Sequence, residues 1–177
     1  SQKHMSQQRF GAEIALDVRN VMSQLAEEGF VDRREANFLM SQPRDREQSQ
    51  LHVLTYIASQ RIENRIAKGK FIDENFLTNW MADKSGLPIY HIDPMKVPVA
   101  KACSLMSYAS AKRHGVLCVD YTREQVTLAV TEPFMTQWQE QIAQTLQQSI
   151  RRVIANPSDI ERYRVEFYSL SRSVSGA

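Results

Sequence analysis

The tripeptide Gly86-Leu87-Pro88 separates two stretches that follow different periodicities, and this change constrains the fold more than any other feature of the sequence. Before it, apolar residues recur at helical spacing; after it, short alternating runs interleave with helical ones. A chain of 177 residues can bury one good core or two small ones. The pattern predicts an α+β protein: a helical subdomain over residues 11–85, then a compact α/β sandwich over residues 86–174 with a small mixed sheet of three to four strands. Residues 1–10 read as a tag and a disordered start, with Ser1 to Met5 resembling a vector scar. Ser173 to Ala177 stops without a natural terminus, as an excised domain would.

In the helical part, Ala12 to Glu28 is expected as the first helix. Ile14, Val18, Val21 and Leu25 form its apolar stripe, and polar residues take the other face. Gly29 follows where a residue of positive φ can close the helix. Asp32 starts a second helix, with Glu35 placed to complete a capping box. Residues 41–50 contain Pro43 and lack a large apolar side chain, so they read as a linker. A third helix is expected from Leu51 to about Ile66, and a fourth between Asp73 as its cap and Gly86. Two segments echo each other: Leu25 to Val31 and Ile66 to Ile72 both join a helix end to a glycine and a short apolar pair.

Beyond Pro88, Ile89 to Ile92 reads as a strand, and helical pieces are expected over Val97 to Met106 and Tyr108 to His114. Val116 to Tyr121 and Val126 to Thr131 alternate across a four-residue connection, the signature of a hairpin. Pro133 is placed to open a helix along Phe134, Trp138, Ile142 and Leu146. Ile150 to Ala155 is a further strand. Asn156-Pro157 starts the last helix, whose inward stripe is Ile160, Tyr163, Phe167, Leu170 and Val174.

Chemistry is sparse. The six glycines include no phosphate cradle of the form G-x-x-x-x-G-K-[ST], since Gly69-Lys70 runs into Phe71. His52, His91 and His114 lack metal-ligand spacing, and no Cys-x-x-Cys exists. Cys103 and Cys118 sit in apolar contexts and read as buried free thiols. No catalytic residue and no metal ligand is assigned, and an unrelated small enzyme would need a deep pocket with converging ionisable groups. The net charge of +2 comes from 22 basic and 20 acidic residues, interleaved, which gives a mixed surface and no call for nucleic acid. Arg151, Arg152, Arg162, Arg164 and Arg172 read as parts of solvated faces. No run approaches the ~20 apolar residues of a membrane-spanning helix, so a cytoplasmic protein is expected.

Several ordered segments carry a resemblance. Gly86-Leu87-Pro88 leads into Ile89-Tyr90-His91-Ile92-Asp93-Pro94; the hairpin ends Leu128-Ala129-Val130-Thr131-Glu132-Pro133; Ile154 to Ile160 with Tyr163 completes the set. Together these resemble the N-terminal domain of type II secretion and type IV pilus assembly ATPases, the E-protein family, with Glu132-Pro133 in place of the usual Asp-Pro. The resemblance implies a non-catalytic docking or regulatory domain preceding a hexameric ATPase domain, with ATP and Mg bound only in that motor. It implies docking onto the cytoplasmic domain of an inner-membrane assembly protein, and so a peripheral place at the inner membrane. The stripe Ile14, Val18, Val21 and Leu25 is the candidate partner surface. Some relatives bind cyclic-di-GMP through tandem Arg-Leu-Gly segments. Here Asn20-Val21-Met22 and Gln60-Arg61-Ile62 stand in those places, which leaves Arg19, Gly29, Arg61 and Gly69 as the candidate dinucleotide positions.

Overall fold

The structure, a computed structural model, describes residues 9–175. Residues 1–8 of the expected disordered start lie outside it, and Arg9 and Phe10 do not fit that expectation. The Arg9 guanidinium donates to Gln24 Oε1 at 2.8 Å and pairs with Glu27, and its carbonyl accepts from the Asn20 amide side chain. Two compact units divide between Leu77 and Thr78. Each has its own logic.

The first unit is helical. Helix α1 (Val18–Glu27) begins later than its apolar spacing suggests, because Asp17 caps it by accepting from the Asn20 amide at 2.6 Å. Glu13 just upstream adopts φ 61°, a left-handed conformation that no helix continues through. Ile14 therefore lies before the helix, its amide bonded to the Gly11 carbonyl in a turn. Helix α2 (Arg33–Ser41) packs against α1, and its cap Asp32 accepts from Arg34 at 2.8 Å in place of the expected bond from Glu35.

The capping box appears instead in the expected linker. Asp45 accepts from the Gln48 amide at 2.7 Å, and the Gln48 side chain accepts from the Asp45 amide at 3.0 Å, folding α3 (Arg46–Gln50). With no buried residue, α3 is a helix made by local hydrogen bonds alone. Helix α4 (Val53–Ser59) is capped by His52 Nδ1, which accepts from Leu54. It stops seven residues short of the expected Ile66, since Arg61 turns left-handed at φ 53°. The chain then doubles back between Ile62 and Ile72, and Asp73 caps α5 (Glu74–Ser85) through the Phe76 amide at 2.8 Å, as expected.

In the second unit, Gly86 (φ 75°) follows α5 and the expected strand 89–92 shrinks to one parallel bridge from Ile89 to Ile154. Helices α6 (Val99–Ser104) and α7 (Tyr108–His114) lead to β1 (Val116–Tyr121), β2 (Gln125–Val130), α8 (Gln137–Leu146), β3 (Ser149–Ile154) and α9 (Pro157–Ser175). The sheet order is β1-β2-β3. β1 and β2 pair antiparallel from Val116 opposite Val130 to Tyr121 opposite Val126, with a bulge between Cys118 and Asp120. β2 and β3 pair parallel from Gln125 opposite Ser149 to Val130 opposite Ile154. The mixed sheet matches the expected fold class.

β2 is central, and Val126 to Val130 are all buried, as a strand covered on both faces requires. α6, α7 and α9 pack against β1, and α8 against β3. Val116, Leu117, Leu128, Val153, Ile160 and Phe167 anchor the core between them. Leu170, expected inward on α9, is 54% exposed. Helix α8 starts at Gln137 and not at Pro133, because Pro133 and Phe134 form a turn whose Pro133 carbonyl accepts from Arg152 at 2.7 Å.

Candidate functional site

The sequence echo is a structural one. After α1, Gly29 (φ 86°) lets the Phe30 amide reach back to the Leu25 carbonyl at 3.0 Å; Val31 is buried and Asp32 caps α2. Before α5, Gly69 (φ 80°) follows a turn; after one extra residue, Lys70, comes Phe71, Ile72 is buried and Asp73 caps α5. The two turns meet: the Arg65 amide donates to the Phe30 carbonyl at 2.9 Å, and the Arg65 guanidinium lies 3.8 Å from Asp32. Phe30 and Phe76 pack edge to face at 5.0 Å.

Asn64 braces the second turn from inside. Only 3% exposed, it accepts from both Ile66 and Ala67 amides at 2.9 Å, while its own amide donates to Lys70. This brace leaves Arg61, Arg65, Lys68 and Lys70 exposed, Arg65 facing Asp32, with Glu63 a further exposed carboxylate in the same segment. Arg61 lays its guanidinium over the Phe71 ring at 4.6 Å. The candidate dinucleotide positions Gly29, Arg61 and Gly69 thus belong to joined turns. Arg19 is exposed on α1 and its side chain makes no hydrogen bond or ion pair among the described residues.

The candidate partner stripe is corrected. Val21 and Leu25 are fully buried in the fold, Val18 is half-buried, and Ile14 lies outside α1. A helix of the first unit has to bury its apolar face, so that face is not free for docking. Sequence reading also missed Arg65. With the echoes aligned on their glycines, Arg65 stands where the first copy has buried Leu25, so periodicity gives it no signal.

Ionisable groups elsewhere serve the fold. Burial pushes the thiols of Cys118 and Cys103 up to about 12 and about 11, the opposite of an activated nucleophile. No group of three or more His, Cys, Asp or Glu among the described residues could hold a metal ion. Arg164 departs from the expected solvated face: it is fully buried, its Nε donates to the Val116 carbonyl at 3.1 Å, and its Nη1 lies 2.8 Å from Glu161. Nη2 has no hydrogen-bond partner among the described residues.

The second unit also holds a cavity of about 260 Å³ that the sequence did not announce. One wall is the α6–α7 loop at Leu105 and Met106, held by the Tyr168 hydroxyl, which donates to the Met106 carbonyl at 2.9 Å. The other wall is α8 through Trp138, Ile142 and Leu146. Ser107 at the cap of α7, Ser110, Arg113 and His114 along it, and Gln141 and Thr145 of α8 complete the lining with polar groups, and the His114 ring lies 5.7 Å from that of Trp138. Burial, and then the Arg113 charge, lowers the His114 pKa, so Arg113 is the lining's positive charge at neutral pH.

No helix among the described residues is long and apolar enough to cross a membrane. The MshEN domain family matches residues 85–174, just over half of the chain. Across 160 residues, 90% of its length, the chain is 31% identical to the type IV pilus assembly ATPase TfpB of Acinetobacter baylyi, and it spans 27% of that protein. A solved structure of MshE with cdg superposes with a TM-score of 0.57 at 19% identity, covering 86% of this chain and 99% of that one. The N-terminal domain of XpsE gives a TM-score of 0.45 at 10% identity over 84% of this chain and 94% of that one. The family match over residues 85–174 and the 31% identity to a type IV pilus assembly ATPase across 90% of the chain lead to one assignment: the chain belongs to the MshEN domain family, an N-terminal domain of such ATPases.

Proposed function

We propose that this chain is a cytoplasmic docking domain, coupling a downstream hexameric secretion or pilus motor to the cytoplasmic domain of an inner-membrane assembly protein. ATP and Mg are bound by the motor domain and not here. The observation that carries this reading is that the stretch shared with the pilus ATPase fills 90% of this chain and contains no phosphate cradle, in a family where a separate domain performs ATP hydrolysis. A domain without catalytic groups contributes to a motor by binding. Titrating the chain against the cytoplasmic domain of its assembly protein tests the proposal; no binding at high micromolar concentration removes it.

A second reading, a cyclic-di-GMP sensor, is favoured by one feature of the first unit. The two glycine turns are joined through Arg65 and Phe30 and expose Arg61, Lys68 and Lys70 beside the Asp32-facing Arg65, a net positive surface that suits a dianionic ligand. The structural neighbour is described as MshE with cdg. Calorimetry with the dinucleotide on the native chain and on Arg19→Ala and Arg61→Ala variants decides it: a flat native titration rules the sensor out.

A further inference from the structure

We infer that the groove between α8 and the α6–α7 loop receives an amphipathic helix of the assembly protein, one that presents apolar anchors with a carboxylate beside them. This rests on the docking reading and gives it an address in the second unit, in place of the buried stripe of α1. α8 has no fully buried residue, although Trp138, Ile142 and Leu146 recur at four-residue steps along one face. A helix of a folded domain ordinarily buries such a face.

Trp138 and Leu146 pack partly against the second unit's core and Ile142 is half-buried, so the face stays part-open; α8 is also secured at its ends. At the start, the Trp138 indole N–H donates to the Met135 carbonyl at 2.7 Å, and Arg152 holds the preceding turn at Pro133. At the far end, Gln147 closes the helix at φ 56°, and the Gln148 side chain donates to the Thr122 and Arg123 carbonyls at 2.6 and 2.9 Å. The opposite wall is equally fixed by Tyr168, whose ring also packs edge to face on Tyr108 at 5.5 Å. The groove is therefore preformed, which lowers the entropic cost of filling it.

Shape and charge choose the occupant. A volume of about 260 Å³ lies below the ~300–1,000 Å³ of small-molecule pockets and suits one or two apolar side chains of a larger partner. A wall of side chains at i, i+4 and i+8 forms the ridge that a second helix packs along. Ten residues of α8 offer about 15 Å of that wall, enough for nearly three helical turns. Among the described residues no Asp or Glu lines the groove, while Arg113 does, so a carboxylate on the incoming helix has a cationic partner at the rim.

The test follows Trp138 fluorescence in a Trp80→Phe background while the assembly protein's cytoplasmic domain is titrated in. Ile142→Glu and Arg113→Glu are carried alongside, with circular dichroism to confirm folding. Both substitutions are expected to weaken binding at least ten-fold, Arg113→Glu with a shallower salt dependence than the native chain. Binding by the native chain that neither variant weakens overturns the groove and leaves the docking reading standing. No binding by the native chain overturns both. Should Ile142→Glu fail to fold, Arg113→Glu on its exposed side chain decides alone.

Discussion

The carbonyl of Gly115 accepts two hydrogen bonds from Thr131, one from its amide at 2.9 Å and one from its hydroxyl at 3.0 Å. This clasp closes the mouth of the β1–β2 hairpin where α7 ends, and Gly115 makes it possible by adopting φ 66°. A Cβ at Gly115 would collide with Thr131 Oγ1. Gly115→Ala is therefore expected to destabilise the second unit by about 2–4 kcal/mol, from left-handed strain and the clash together. Thr131→Ala removes the obstructing hydroxyl, so in urea unfolding the double variant should lose less than the sum of the singles. Additive losses would mean that the clash relaxes freely.

Asn64→Ala should loosen the braced turn by about 1–2 kcal/mol, since the Ile66 and Ala67 amides lose their shared acceptor, the buried Asn64 side chain. Amide exchange at Ile66 and Ala67 is expected to accelerate well before the rest of the first unit responds. Unchanged protection at those two amides would show that the brace is dispensable.

Arg164→Ala removes a buried guanidinium and leaves a void, and is expected to destabilise by about 3 kcal/mol. Arg164→Met keeps most of the volume without the buried charge, whose Nη2 has no hydrogen-bond partner among the described residues. The methionine variant should therefore recover much of the loss in thermal melts. Equal destabilisation by both substitutions would place the value of Arg164 in its bond to Val116 and not in its packing.

Stability should fall with rising alkalinity. Burial pushes Cys118 and Tyr168 up to about 12 and Cys103 up to about 11, so the folded state holds these protons more tightly than the unfolded chain. The unfolded chain binds fewer protons once its cysteines titrate near pH 8.5 and its tyrosines near pH 10, so the stability slope is negative from about pH 9 to about pH 12. Urea midpoints are expected to drop between pH 8 and pH 10, and less so in Cys118→Ala. A flat profile would contradict the burial of these groups.

The sequence made some of this visible and hid the rest for physical reasons. Asp73, Gly86 and the alternation around Thr122–Gln125 act locally, so the α5 boundaries and the β1–β2 hairpin were legible. The end of α4 was not, because the left-handed turn falls on Arg61, a residue type that gives no warning of it. The polar composition of residues 41–50 suggested a linker, although Asp45 and Gln48 spell the very capping box that folds α3. The stripe of α1 was read correctly as apolar but offered to a partner, since a sequence cannot tell which apolar face its own neighbours will cover. The groove combines residues from α6–α7 and α8 that only the tertiary fold brings together.

The bulge between Cys118 and Asp120 lies in β1, an outer strand of the sheet. An extra residue there bends the strand and breaks the even row of backbone donors and acceptors that a foreign chain would need to extend the sheet. At the opposite border, Ile89 bridges to Ile154, and the Tyr90 amide donates to the Ile154 carbonyl at 2.8 Å. Both borders are thus poor templates for strand addition. An open edge at either border would instead invite pairing with another chain and aggregation.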